Sequence, residues 1–470
     1  MPDPRRFLAA AVLATLVVLA TLVVLAPSSE VGAIASTPCA LHCQVAADAN
    51  YLISTESPSG YLALQPLALS APRGVTVQTY DAAYGALGLV RAASIDPQPR
   101  FGRAAWAFLG WYVREMAAAA PAGTDVALCA DPAALRSAEH TRSVSCYYVP
   151  DFCTKVPPGI TVQPGLDPTR TCTGVRGADL VVEEQRPAKR TPASFAPHPY
   201  VDSTDATSAM FLTVLSAATK LPGGLSAFAE LNATAEPGTL DVVDEAVRAI
   251  TSTLDADGLT FATPWYGAKL LEDAAETAAG LRAAARLEGI LATADPSDPS
   301  APAHAALAQR CSHLADQMVA QLDGSMFSGV RPTGGPGFAW AKSSVGTLTW
   351  TDWRRSVVTD PQQDLWAVLW GVADATQATA VMTTFDARFA PGVTRSEIWA
   401  PTHGVKGWPQ PLYWVALADL AVGDRAGATA VLAAEDRAFL GGLTPRTWQY
   451  QPKDAGLAIW ARVALAGLTN

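Results

Sequence analysis

From about residue 40 to the C-terminus, apolar positions recur at intervals of three and four, and stretches of alternating β-branched residues are few. This period predicts helices over 40–53, 77–94, 99–119, 202–220, 237–254, 266–291, 300–323, 361–375, 376–390, 410–422, 425–439 and 454–468. Two segments break the rhythm. Residues 121–198 are rich in Pro and Cys and contain β-like pieces such as "SVSCYYV" and "ADLVVEE", and residues 324–358 are rich in Gly, Ser and Trp. Irregular stretches this long inside a compact domain are more often functional loops than accidents, so both read as insertions over one end of a helical body.

Alternate helices begin differently. The second, fourth, sixth, eighth, tenth and twelfth start with "TYDAAYG", "YVDSTDAT", "PWYGAKLLEDAAE", "VTDPQQDLW", "GWPQPLYW" and "YQPKDAGLAIW". Every one carries aromatics, and all but the fifth carry an acid; the intervening helices start without aromatics, as in "PGTLDVVDEAV". If twelve helices alternate between an outer and an inner ring, the inner ones run the same way and these six starts converge on one rim. Converging helix N-termini, aromatic faces and carboxylates make a concave site suited to stacking sugar rings and binding hydroxyl groups.

The segments "YVDSTDATSAMFL", "LTFATPWYGAKLLEDAAETAAGL", "DPQQDLWAVLWGV" and "GWPQPLYWVALADLAVGD" resemble the six-hairpin glycosidase superfamily, the (α/α)6 toroids that include glucoamylase-like, trehalase-like and amylo-glucosidase-like enzymes. The resemblance spans roughly residues 40–470. It implies an all-α (α/α)6 toroid of twelve helices with irregular, partly β insertions over the rim. It also implies a carbohydrate substrate and inverting hydrolysis by a general acid and a water-activating carboxylate about 6.5–9.5 Å apart. Related toroids include polysaccharide lyases, epimerases and unsaturated glucuronyl hydrolases, and a toroid can also bind sugar without acting on it. No paired-glutamate motif of the glucoamylase type is present.

The catalytic candidates are Asp205, Glu272, Asp202, Asp273 and Asp360. Asp202 and Asp205 stand at the start of the fourth helix, where capping competes with chemistry; Ser203, Thr204 or Asp202 can cap, which leaves Asp205 available. Glu272, Asp273 and Glu276 lie in the first turns of the sixth helix beside Leu270, Leu271 and Leu281, a position that buries one of them, with Glu272 nearest the rim. Asp205 and Glu272 are the preferred acid and base pair, their order open. Tyr200, Trp265, Tyr266, Trp408, Tyr413 and Tyr450 are the substrate-binding aromatics, whereas Trp366, Trp370, Trp414 and Trp460 read as core. Arg354, Arg355 or Lys406 would be expected to line the cavity of a uronate enzyme.

Composition narrows the partners. A formal charge of −10 and a sequence pI of about 5.1 argue against nucleic acid and anionic lipid. The absence of HExxH, GxSxG, a phosphate loop and CxxC removes the usual support for metal, nucleotide or other cofactor chemistry. "LDADGLT" at 254–260 matches a calcium loop only in part, and His403 in "APTHGVKGWPQ" reads as incidental. Arg5-Arg6 followed by the apolar run 7–26 and the triplet Ala33-Ile34-Ala35 predicts export of one domain spanning 36–470. Residues 1–35 are then a signal peptide or a retained membrane anchor, the latter being the only membrane contact foreseen. Cysteine usage agrees: Cys129 is expected to pair with Cys146 and Cys153 with Cys172, although spacing alone fixes no connectivity, and Cys311 reads as a buried thiol.

Overall fold

The computed structural model describes residues 38–58, 60–63, 66, 75–96, 98–119, 143–145, 181–184, 203–233, 235, 239–262, 268–332, 334–350, 360–389, 410–438 and 450–468. The chain divides into residues 1–41, described only over 38–41 as the beginning of a helix, and residues 42–470. The second unit carries the architecture.

Thirteen helices occur among the described residues: α1 (Pro38–Thr55), α2 (Thr79–Ile95), α3 (Pro99–Ala119), α4 (Thr204–Ala218), α5 (Gly224–Asn232), α6 (Val242–Ser252), α7 (Leu271–Ala294), α8 (Ala301–Met326), α9 (Asp360–Leu369), α10 (Ala375–Phe389), α11 (Gln410–Ala421), α12 (Arg425–Ala438) and α13 (Pro452–Leu465). Twelve match the helices read from the periodicity. The extra one, α5, is a short element between α4 and α6, started by Gly223 at φ +75°.

Helices α2, α4, α7, α9, α11 and α13 each pack on the next, and α13 packs back on α2, closing an inner ring. The others flank it: α3 lies against α2 and α4, α6 against α4 and α7, α8 against α7, α10 against α9 and α11, and α12 against α11 and α13. On its remaining side, α1 is fastened to α13 by an ion pair between buried Asp48 and Arg462 and a hydrogen bond from Tyr51 to the Tyr450 carbonyl. The all-α double ring expected from the sequence is therefore the fold. Inner helices are apolar on nearly every side because they are enclosed by neighbours, as α4 is, with 13 of its 15 residues buried.

Small residues set how tightly the ring closes. A Cβ added at Gly456 of α13 would fall 2.1 Å from the Tyr84 carbonyl oxygen of α2, and one at Gly280 of α7 would fall 2.5 Å from Ala209 Cα of α4. No side chain fits at either crossing.

Two of the strands run directly into inner helices. β1 (Val75–Gln78) runs into α2 and pairs with β3 (Val181–Glu184), which pairs with β2 (Ser143–Ser145). β4 (Ala268–Leu270) runs into α7 and pairs antiparallel with β6 (Gly337–Ser343), on which β5 (Phe327–Ser328) and β7 (Leu348–Trp350) also pair. Thus 266–291 is not helical throughout: backbone pairing with β6 holds 268–270 extended, and α7 begins at Leu271. No helix among the described residues is long and apolar enough to cross a membrane. The N-terminal apolar run and Cys129, Cys146, Cys153 and Cys172 lie outside the described residues or their described side chains.

Candidate functional site

Because alternate helices of the ring run the same way, α2, α7, α9 and α13 bring their first turns together. Four-residue spacing places pairs of side chains on one face of each helix: Tyr80 and Tyr84 on α2, Glu272 and Glu276 on α7, and Trp366 and Trp370 on α9. Glu276 is fully buried among them. Its Oε1 accepts hydrogen bonds from the Tyr80 hydroxyl at 2.7 Å, from the Tyr84 hydroxyl and from Trp366 Nε1 at 2.8 Å. Its Oε2 is buried and has no hydrogen-bond partner among the described residues.

Opposite, Lys453 of α13 extends its ammonium over the rings of Tyr80 at 4.1 Å, Tyr84 at 4.9 Å, Trp414 at 5.3 Å and Trp366 at 5.4 Å. The electron-rich ring faces hold the cation where water is scarce. Burial raises the Glu276 pKa above the ordinary carboxylate range, and the Lys453 charge and the three donors pull it back only in part. A carboxyl group results with one oxygen saturated by donors and the other available to carry a proton.

The expected site residues divide. Asp205 is buried, but both of its oxygens are committed: Oδ1 accepts from Ser203 Oγ and the Ala206 amide, and Oδ2 from Thr260 Oγ1. Ser203 is the N-cap, as foreseen for this helix start, and Asp205 ties that start to Thr260 in the segment after α6. Burial lifts its pKa to about 6 despite these hydrogen bonds. Asp273 is buried, whereas Glu272 is half-buried, one turn nearer the helix start than Glu276. Asp360 is the first residue of α9, but its side chain lies outside the description, as do Asp202, Tyr200, Trp265, Tyr266, Trp408, Arg354, Arg355, His403 and Lys406.

Tyr450 and Tyr413 are corrections: both are buried rather than displayed at a rim. Tyr450 packs edge-to-face on Tyr51 with centroids 5.0 Å apart and donates to Asp48 Oδ1, so it joins α1 to the ring. Trp366 and Trp414 are buried, as expected of core residues. Their indoles, 3.8 Å apart between centroids, also border Glu276 and Lys453. Trp370 packs on Trp460, over which Arg91 lies at 4.5 Å, and its ring also stands 6.4 Å from that of Tyr84.

The loop "LDADGLT" already contains its cation. Lys269 Nζ binds Asp255 and, at 2.7 Å, Asp257, while Lys342 Nζ reaches Asp257 at 2.9 Å. Burial pushes the Asp257 pKa up, but the two lysines outweigh it and hold the carboxyl below its usual range. Cys311 is a buried thiol with its pKa pushed up to about 12 by burial, as expected for a residue that is not a nucleophile. Among the described residues, one group has ligand atoms placed for a metal: Asp241, Glu288 and His304, on other turns of α6, α7 and α8.

No family model and no curated protein matches the chain. Among solved structures, a glycosidase is similar over 92% of this chain and 98% of its own, with 14% identity and TM-scores of 0.46 for the wild type and 0.49 for a single-residue variant. A chain titled a novel alpha-amylase from Clostridium perfringens aligns over 90% of this chain and 97% of its own, with 8% identity and a TM-score of 0.47. Likenesses of this degree decide nothing about activity here.

Proposed function

We propose that this protein is a carbohydrate-active enzyme that hydrolyses glycosidic bonds with inversion, using Glu276 as proton donor and Glu272 as the carboxylate that activates water. The observation that carries the reading is the buried Glu276 carboxyl, held by three donors on one oxygen and lacking a partner on the other at the convergence of the inner helices. A general acid must be protonated at working pH, and burial acts in that direction on Glu276. Its proton on Oε2 passes to the glycosidic oxygen as the bond to the anomeric carbon breaks. Glu272 removes a proton from water attacking the opposite ring face, and Lys453 stabilises the Glu276 carboxylate left behind. Side chains four apart on a helix have Cβ atoms about 5–6 Å apart, so the wider separation that inversion needs requires the Glu272 and Glu276 side chains to diverge around the substrate.

A sugar-binding protein without catalysis would have its central acids tied up in caps or ion pairs, as Asp205 is and Glu276 Oε2 is not. Elimination on a uronate polymer would need a readily ionised tyrosine. Burial and the neighbouring Glu276 instead push the Tyr80 and Tyr84 hydroxyls well above their ordinary pKa.

The test is a panel of oligo- and polysaccharides with products identified by NMR. The reading expects hydrolysis with inverted anomeric configuration. Retained configuration rejects the inverting assignment, an unsaturated product rejects hydrolysis, and no turnover of any glycan rejects the enzyme.

A further inference from the structure

About twelve residues beyond Glu276, or roughly 18 Å along α7, Glu288 occupies a second buried polar site where the inner helix ends. It faces Asp241, the N-cap of α6, and His304, in the first turn of α8. His304 Nδ1 lies 2.7 Å from Glu288 Oε2 and 3.7 Å from Asp241 Oδ2. Asp241 Oδ1 is spent on the Asp244 amide at 2.9 Å. Its Oδ2 and Glu288 Oε1 are buried and take no bond from a nitrogen or hydroxyl donor among the described residues, the two carboxyl groups being close enough to hydrogen-bond to each other, and both side chains are fully buried. The ligand atoms of the three residues lie within 4.8 Å of one another.

We propose that Asp241, Glu288 and His304 form a structural binding site for a first-row divalent cation, with Zn2+ as the ion best matched to them. Two buried carboxyl groups directed at one point are relieved either by a proton held between them or by a cation that displaces it, and one imidazole cannot fill every oxygen. An imidazole with two carboxylates suits zinc and its neighbours. Calcium takes six to eight oxygens, and three protein groups with one nitrogen among them do not provide such a shell. Tetrahedral ligands at about 2.0–2.1 Å stand roughly 3.3 Å apart, so the His304–Glu288 contact opens slightly to admit the ion. His304 is 12% exposed and gives the ion its way in, while water completes the coordination. The bound ion would join α6, α7 and α8 far from Glu276, so its role is to stabilise rather than to react.

The experiment strips the full-length protein with a chelator and then titrates it with Co2+ and with ZnCl2. Expected results are one equivalent bound, a higher melting temperature, and a Co2+ visible spectrum typical of nitrogen and oxygen ligands, without the thiolate charge-transfer band that cysteines would give. Glu288→Gln and His304→Ala should each weaken binding at least about 100-fold while far-ultraviolet circular dichroism is retained. Glu288→Gln copies a protonated carboxyl. If it leaves the metal response unchanged, or if wild-type protein takes up no metal while Glu288→Gln melts higher, the two acids merely share a proton and the proposal fails. Should either variant not fold, the stoichiometry and Co2+ spectrum of the wild type decide alone.

Discussion

The two buried glutamates of α7 are a natural experiment in environment. Glu276 and Glu288 share a helix, complete burial and a pKa raised mainly by that burial. Around Glu276 stand two phenols, an indole and an ammonium group, all donors or cations directed at a single carboxylate. Around Glu288 stand a second carboxylate and an imidazole, and the repulsion from Asp241 adds to burial to push its pKa up to about 10. One glutamate is surrounded by groups that tune it as an acid. The other is paired with an acid and needs a cation or a proton to be stable. The difference arises from helix direction: inner-helix starts meet at one end, and outer-helix starts such as those of α6 and α8 meet the inner-helix ends at the other.

The comparison can be tested from its strongest consequence downward. Glu276→Gln should lower kcat/KM by about 10²–10⁴-fold with the fold intact, the usual range for losing a general acid; undiminished turnover by the folded variant would remove Glu276 from the chemistry. Asp205 should behave as a structural acid. Because its folded pKa of about 6 lies above the unfolded value of 3.8, the folded state holds more protons between them, and stability falls as pH rises through that window. Asp205→Asn should remove up to about 3 kcal/mol of that dependence, measured by denaturant unfolding at pH 4 and pH 7, and retain activity; the remaining slope in the same sense includes Asp48, also raised to about 6. Gly280→Ala sits between the two glutamates. Its Cβ meets the α4 backbone, so it should cost about 1–3 kcal/mol while leaving the alkaline pKa of the activity profile in place, provided the two ends act independently. Tyr84→Phe is the mildest change. Removing a hydrogen bond that lowers the Glu276 pKa should shift the alkaline limb of the pH–rate profile to higher pH, since activity is lost as the acid ionises.

Much of this was legible in the chain. The 3.6-residue period located twelve helices with ends off by up to six residues, and the aromatic and acidic starts of alternate helices marked the inner ring. What misled was depth. Asp205 and Glu272 were the preferred pair, yet Glu276, one turn beyond Glu272, is the residue the neighbouring helices enclose. Trp366 and Trp414 lay in apolar runs and read as core, and their indoles are indeed buried, but against a carboxylate and an ammonium group. The motif "TYDAAYG" did contain the signal: two tyrosines four apart place two hydroxyls on one helical face.

By itself the sequence determined the local matters: which stretches are helical, which helix starts are polar and aromatic, and that Ser203 can cap α4. These follow from period and capping, which act over about one turn. The tertiary structure decided what surrounds each acid. Asp205 meets Thr260, Glu276 meets residues up to 196 positions away, and Asp241, Glu288 and His304 converge without any local metal-ligand spacing. A carboxyl's pKa, partners and spare lone pairs are set by what other helices place around it, and only ring closure establishes those neighbours.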